Sequence, residues 1–358
     1  MLLKIEKRAE QSRAMVYLTP IFALILTMLT SVVLFHLLGV SPLEALYNFF
    51  ILPINSEYGL SELFVKGTPL ILIAIGLSVG FKANVWNIGA EGQLTMGAIL
   101  GSSIFIYFHE IDSVFLLPAE ILLGALGGAL WAAIPAYLKT RFNANEILTS
   151  LMLVYVAILF LSVLVHGPWR DPDGFNFPES RTFSESADMP ILIAGTRMHF
   201  GTLLAFMAVI GAWIMMSKTL IGFQVKVIGS APTAGGYAGF SQKKIIWFAL
   251  LFGGAMAGIA GLSEVAGPID QILPSISPGY GFTAIIVAFL GRLHPVGILF
   301  AGLLMALTYL GGETAQINLG LPLAVTGVFQ GMILFYLLAC DVLVHYRFRL
   351  NSFGKAAS

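Results

Sequence analysis

The sequence predicts an all-α, polytopic membrane protein of about ten transmembrane helices. Three observations carry that prediction. First, 58% of the 358 residues are hydrophobic and only 11% are charged, against roughly 25% charged in a soluble domain. Second, apolar runs of about 20 residues, the length that crosses a bilayer as helix, recur along the chain. Third, lysine and arginine collect on alternate connections between those runs, as the positive-inside rule requires. This composition excludes a soluble enzyme built on a large core. The single cysteine, Cys340, excludes an intrachain disulfide and any CxxC metal or redox site.

Residues 1–15 form a basic leading segment with Lys4, Lys7, Arg8 and Arg13. The apolar run behind it is too long for a signal-peptide core, and no small-residue cleavage site follows. It is expected to be a retained first helix with a cytoplasmic N-terminus. Hydropathy places spans at 16–38, 63–82, 92–108, 115–138, 147–166, 201–217, 244–263, 280–291, 295–310 and 323–342. The eighth is short, as a broken or half-crossing helix would be. Residues 16–343 then form the membrane domain and 344–358 a cytoplasmic tail.

With both termini inside, 15 of the 19 Lys and Arg are cytoplasmic. Only Lys66, Arg170, Arg181 and Arg197 fall outside. The acids do the opposite: Glu6, Glu10, Glu91, Glu146 and Asp341 are inside and the other 14 outside. The formal net charge of zero hides about +10 inside and about −10 outside.

Gly76/Gly80, Gly97/Gly101, Gly124/Gly128, Gly254/Gly258 and Gly327/Gly331 are each spaced by four. That spacing puts both glycines on one helix face and admits a close neighbour. The pairs predict a tightly packed bundle. Spans two to five and seven to ten form two sets of four that start on opposite sides, the topology of an inverted repeat. Gly-rich turns, Asn87–Gln93 in one set and Gly291–Pro295 in the other, are read as occupying comparable places. The external loop, 167–200, carries Trp169, Phe175, Phe177 and Phe183 among four prolines. Its aromatic content favours an ordered cap or docking surface over a flexible linker.

Two polar stretches interrupt the apolar pattern. Lys82–Gly101, KANVWNIGAEGQLTMGAILG, places Asn84, Asn87, Glu91 and Gln93 at a helix junction close to the membrane. Two readings stand: a structured turn near a translocation path, or a helix N-terminus whose Glu91 and Gln93 cap backbone donors. Gly222–Gly239, GFQVKVIGSAPTAGGYAG, lies in a cytoplasmic loop over 218–243. Its members Gly222, Gln224, Lys226, Gly229, Pro232, Ala234, Gly235, Gly236 and Gly239 suit a short surface helix. Pro232 can occupy its first turn, and its small face can lie in a groove of another protein. His166 and Asp171 make an HxxxxD pattern, read as a chance match. His36 and His199 are read as interface hydrogen bonders at span ends.

NIGAEGQ followed by an apolar, Gly-rich helix resembles the signature of ABC importer permeases of the branched-chain amino acid and monosaccharide permease family, in its simple-sugar and nucleoside branch. VKVIGSAPTAGGYAGF resembles that family's cytoplasmic loop, FLGRLHPVGILFAGLLMA (Phe289–Ala306) its third block, and VFQGMILFYLLACDVL (Val328–Leu343) its C-terminal helix. The blocks occur in family order over about residues 40–345. The WNIGAEGQ form and the long N-terminal section most resemble purine-nucleoside permeases. Ala231-Pro232-Thr233-Ala234 departs from the commoner Asn-Pro-Glu-Ala form of the loop.

The resemblance implies a type II importer fold with ten helices per subunit, sited in the inner or plasma membrane. It implies two P-loop ATPase subunits, a second permease, an extracytoplasmic solute-binding protein and surrounding lipid; the second permease is expected to be a different chain, with a second copy of this one as the alternative. No nucleic-acid partner is expected. No GxxxxGK[ST] occurs, so this chain cannot cradle ATP phosphates itself; ATP and Mg are expected on the partners, and no cofactor or metal is expected on this chain. The expected function is import of nucleosides, with a simple sugar such as ribose or galactose as the alternative. Gly222–Gly239 would receive the ATPase motion. The solute path is expected near Asn84–Gly101 and Gly261–Phe282, with Asn84, Asn87, Glu91, Gln93, Glu264 and Gln271 as its candidate residues. An ion-coupled transporter is the rival reading and needs mid-membrane charges. A membrane-embedded enzyme is a second rival, without a catalytic constellation.

Overall fold

A computed structural model of the protein describes residues 2–8, 12–108 and 113–351. Glu10, Glu110, Asp112 and Lys355 of the charge tally, and tail residues 352–358, lie outside the described residues. The chain divides into two units, Ile54–Leu310 and a second made of Met1–Pro53 with Gly311–Ser358.

The larger unit contains α3 (Glu57–Lys82), α4 (Ala90–Tyr107), α5 (Leu116–Phe142), α6 (Glu146–His166), α7 (Phe200–Lys218), α8 (Leu220–Ser230), α9 (Pro232–Tyr237), α10 (Gln242–Glu264) and α11 (Tyr280–Leu290), with most of α12 (Pro295–Leu319). Local sequence sets the boundaries. Ser56 Oγ accepts from the Gly59 amide at 3.0 Å, opening α3. Asn145 Oδ1 accepts from Ile147 at 2.9 Å, opening α6. Asn143 closes α5 in the left-handed conformation, with φ of 54°. Each cap satisfies backbone groups that a helix end leaves without partners.

α10 is the axis of this unit and packs against α3, α4 and α5. Glycine makes these contacts possible. A Cβ on Gly97 of α4 would fall inside the backbone of Gly258 on α10. One on Gly128 of α5 would fall on the Gly254 carbonyl. Gly76 of α3 would place a Cβ 2.9 Å from Met256 Cβ and 3.0 Å from Gly253 Cα. Indole groups add specific ties: Trp247 Nε1 donates to Thr140 Oγ1 at 3.0 Å, and Trp131 Nε1 to the Leu153 carbonyl at 3.2 Å.

The smaller unit holds β1 (Leu2–Lys7), α1 (Arg13–Leu37), α2 (Pro42–Phe50), the end of α12, α13 (Ala324–His345) and β2 (Tyr346–Asn351). β1 and β2 pair antiparallel, from Leu2 opposite Asn351 to Lys7 opposite Tyr346. Phe35, Phe49 and Phe329 are fully buried, with ring centroids 5.6 and 5.7 Å from Phe49. Asn318 Nδ2 donates to Asn48 Oδ1 at 2.8 Å, pairing two polar groups within this unit.

All ten predicted spans are helices. Eight helices among the described residues are long and apolar enough to cross a membrane. α4 falls short because Glu91, Gln93, Thr95, Ser102 and Ser103 dilute its hydropathy. α11 falls short in length, at 11 residues, or about 16 Å, matching the short eighth span. The helices overrun the hydropathy windows: α3 begins at Glu57 and α12 continues to Leu319. α2 and α8 are additions to the sequence reading. Four glycine pairs lie at close contacts. The fifth does not, since a Cβ on Gly327 or Gly331 would meet nothing within 4 Å.

Replacing Gly97 by valine should therefore prevent the approach of α4 to α10. The obstructing atoms are backbone and cannot yield, so the cost should exceed the ~1–3 kcal/mol of ordinary overpacking. Thermal unfolding in detergent should show a large loss for Gly97→Val and a shift within about 0.5 kcal/mol for Gly331→Val.

Candidate functional site

The chain between α3 and α4 is a turn built almost wholly from polar contacts. Asn84 ends α3 with φ of 57° and accepts from Trp86 Nε1 at 3.2 Å. Trp86 stacks with Phe81 and Phe289, centroids 5.1 to 5.8 Å apart. Asn87 and Gln93, both buried, exchange two hydrogen bonds of 2.8 and 3.0 Å. Asn87 Oδ1 also accepts from the Gly89 amide at 3.1 Å. Ser150 Oγ on α6 accepts from Ile88 at 3.2 Å. Gly89 and Gly92 let the turn lie on α6: a Cβ would come within 2.6 Å of the Ser150 carbonyl and 2.8 Å of Val154 Cα.

Glu91 reaches across to a different helix. Its Oε2 accepts from the Gly281 amide at 2.6 Å, and Ser277 and the Gly279 amide approach the same carboxylate. Gly279 precedes α11 with φ of 100°, and Ser277 Oγ accepts from the Tyr280 amide at 2.9 Å. The N-termini of α4 and α11 therefore converge on one carboxylate. Both helix dipoles favour a negative charge there, and charge-assisted bonds to it are stronger than neutral ones. Glu91 caps backbone donors, as one sequence reading had it, but the donors belong to α11 rather than to its own helix. Gln93 braces Asn87.

Between α10 and α11 the backbone is irregular. Val265–Ile269 forms a π-helical turn containing Pro268, and Asp270 follows with φ of 60°. The long α6–α7 loop lies along this segment. Ser180 N donates to the Ile272 carbonyl at 3.0 Å, Phe183 N to Asp270 at 2.8 Å and Met189 N to Ala266 at 2.7 Å. Gln271 Nε2 donates to Glu179 Oε2 at 3.2 Å, so this candidate path residue ties the loop down. Glu264 is buried at the end of α10. Trp169 and Phe183 are buried, as an ordered cap requires, whereas Phe175 and Phe177 are exposed.

At the same end, Arg197 forms a two-point ion pair with Glu62 of α3, its Nε donating to Oε1 at 2.9 Å and its Nη2 donating to Oε2. His199 is buried and accepts the Gly201 amide through Nδ1 at 3.2 Å, opening α7. Burial lowers its pKa to about 4, against the opposing pull of Glu62 and with help from Arg197. It is neutral at pH 7. His166 and Asp171 form no catalytic pair. His166 Nδ1 lies 2.8 Å from its own helix's Ser162 carbonyl, while Asp171 accepts from the Asp173 amide at 3.1 Å.

At the opposite end, beyond Lys82, α8 and α9 form a short hairpin. Thr219 Oγ1 accepts from Gly222 N at 3.3 Å to start α8. Val225 and Ile228 face a cluster with Val79, Ala83, Ala136, Met216, Ile246 and Leu250. Gly222 packs against the Met215 carbonyl and Gly229 against the Lys82 carbonyl, so a side chain fits at neither. Pro232 stands at the first turn of α9, as expected. Gly235 is the buried residue of α9 and sits on Ile228, while Pro232, Ala234, Gly236, Tyr237 and Gly239 are exposed. Gln224 is half-buried and Lys226 exposed.

Sequence reasoning missed Ser150, Ser277, and Glu146 with Lys139. Glu146 Oε2 takes a 2.5 Å bond from Lys139, and its Oε1 faces the Trp86 amide at 3.5 Å. All four lie far from the motif in sequence. Only their position at predicted helix ends marked them.

The architecture defines a multi-pass membrane permease, with its polar groups bracing helix junctions and a small exposed hairpin at one end. Residues 59–338 match the family model described as branched-chain amino acid transport system / permease component, and the chain belongs to that family. It is a transport component of the ABC class, in which ATPase subunits are separate partners.

The glucose ABC transporter permease protein TsgB13 of Haloferax volcanii is 35% identical, over 96% of this chain and 93% of that one. The nucleoside ABC transporter permease protein NupB of Lactococcus lactis is 28% identical, covering 89% and 90%. The guanosine ABC transporter permease protein NupP of Bacillus subtilis is 29% identical, covering 89% and 92%.

Glu91→Ala should release the start of α11 and cost about 1.5–3 kcal/mol, the scale of a hydrogen bond to a charged group. Glu91→Gln keeps an acceptor and should lose less. Thermal unfolding of the two purified variants against wild type measures the difference.

Proposed function

We propose that the chain is one of two permease subunits in an ATP-driven importer for nucleosides. The observation that carries the coupling part of this reading is the α8–α9 hairpin. It is exposed, yet fixed to α3 through Gly229 on the Lys82 carbonyl and to itself through Gly235 on Ile228. An exposed helix of small residues on a rigid base can seat in a groove of an ATPase and transmit its motion. The charge bias of the connections favours a cytoplasmic position for this hairpin and for both termini, in the inner or plasma membrane.

ATP and Mg would act on the partner ATPases, whose closure would drive the hairpin and tilt the helices as rigid bodies. A different permease chain would supply the other half. A solute-binding protein would dock at the end carrying the α6–α7 loop. The path would run beside the α4 and α11 N-termini, where Asn84, Asn87, Glu91, Gln93, Glu264 and Gln271 frame it. A frame with few free charges suits a neutral polar solute.

Nucleosides are favoured by the relatives NupB and NupP and by the WNIGAEGQ form. A simple sugar is the second reading, favoured by the 35% identity to TsgB13. Uptake of labelled nucleoside by cells with the intact transporter decides between them. Competition by unlabelled nucleosides and not by glucose, ribose or galactose supports the first, and the reverse pattern the second.

Gly236→Trp should cut uptake at least about tenfold, since Gly236 is exposed and an added Cβ meets no atom of this chain within 4 Å, so the bulk is expected to obstruct a partner. Membrane insertion and thermal stability should be unchanged. Normal uptake in this variant would contradict the coupling assignment.

A further inference from the structure

Glu120 lies in the second turn of α5 and is fully buried, yet neither carboxylate oxygen has a hydrogen-bond partner. Asp188, in the α6–α7 loop, is its electrostatic neighbour, and Asp188 Oδ1 is likewise buried and unpartnered. The other charged groups around Asp188 are Glu185 on the same loop and Asp270 after the π-helical turn. Arg197 lies near Asp270 but is engaged with Glu62, and His199 is neutral. The hydroxyl of Ser102 is fully buried and unpartnered too. It follows Gly101, where an added Cβ would lie 3.1 Å from the Glu120 carbonyl. Unpartnered carboxylate oxygens thus stand on both α5 and the loop, with no donor bonded to them. Buried carboxylates do not persist in that state; they take up a compensating positive charge.

We propose that Glu120 and Asp188 form a site for one small monovalent cation, a proton or an alkali-metal ion such as sodium, which clamps the loop around Asp188 onto α5. The occupant is small because no partner side chain can reach a fully buried Glu120. A divalent ion such as calcium takes about 6–8 oxygen ligands, more than these two carboxylates bring, so the occupant is monovalent. No group of three or more His, Cys, Asp or Glu is arranged for a metal among the described residues. Entry is open: a cavity of about 760 Å³, lined by Leu117, Pro118, Ile121, Ser184, Asp188 and Phe200, borders the site.

Burial, reinforced by Asp270 and Glu185, raises the Asp188 carboxyl to about 7. The sign follows from linkage. A carboxyl raised in the folded state favours the docked loop when protonated. Docking therefore weakens as pH climbs from about 4, the ordinary carboxyl value, through about 7, and levels off above. A bound alkali-metal ion would offset that loss at high pH.

The test is hydrogen exchange of residues 184–190 in the purified full-length protein. It is run at pH 6 and pH 8, in sodium chloride or choline chloride at equal ionic strength. Because amide exchange is base-catalysed, each rate is first divided by the intrinsic rate at its pH; the protection of wild type in choline should then be about tenfold lower at pH 8 than at pH 6. Protection restored by sodium at pH 8 identifies the metal ion as an occupant, and a response to pH alone identifies the proton. Glu120→Gln with Asp188→Asn should abolish both responses. Asp188→Asn alone, on the loop, should do the same if the double variant does not fold. A wild type indifferent to both pH and sodium, or variants that respond as wild type does, would overturn the site.

Discussion

The backbone-to-backbone seam along α10 is the constraint on which the larger unit depends. At Gly97–Gly258 and Gly128–Gly254 there is no room for a single methyl group. In lipid, helices gain little from burying apolar surface against one another, because the surroundings are equally apolar. Close van der Waals packing must supply the association instead. Glycine provides it at the expense of helix propensity, a loss that a bilayer environment tolerates. With α3, α4 and α5 gathered on one axis, α6, α7, α8 and α11 of the same unit pack on members of this group.

That tight packing explains how polar residues are used. The WNIGAEGQ motif reads as a functional signature, and every polar member of it has a structural task. Asn87 and Gln93 brace the turn, which Asn84 begins two residues ahead of the motif; Gly89 and Gly92 seat it on α6, and Glu91 holds the first turn of α11. A carboxylate shared between two helix N-termini fixes the relative position of α4 and α11 at that end. Gly229 on the Lys82 carbonyl, Glu91 on the Gly281 amide and Gln271 on Glu179, joined by the chain between them, link the α8–α9 hairpin to the α6–α7 loop. This continuity is the material on which a coupling mechanism can act.

Much of the helical layout could be read directly from hydropathy, because a membrane span declares itself by length and apolarity alone. All ten windows are helices, and Pro232 opens α9 where its missing amide predicts. Boundaries were poorer, since Ser56 and the α12 extension are set by caps and packing rather than hydropathy. The glycine pairs were right where a neighbour exists and silent at Gly327 and Gly331, because spacing alone cannot say what stands opposite. The site was visible only as a list of polar residues. That Glu91 serves α11, 190 residues away, and that Gln271 anchors Glu179 are facts of tertiary pairing. Glu120 gave no signal at all: one carboxylate at the end of an apolar run looks like any helix terminus until its lack of partners is seen.

The measurement closest to the central claim is a site-specific photo-crosslink from Tyr237, which is 91% exposed on α9, in native membranes, with the captured protein identified by mass spectrometry. The account predicts a P-loop ATPase as the crosslinked partner, lost when the hairpin is obstructed. A chain that captures no ATPase there, and that moves solute in proteoliposomes without ATP, would contradict it.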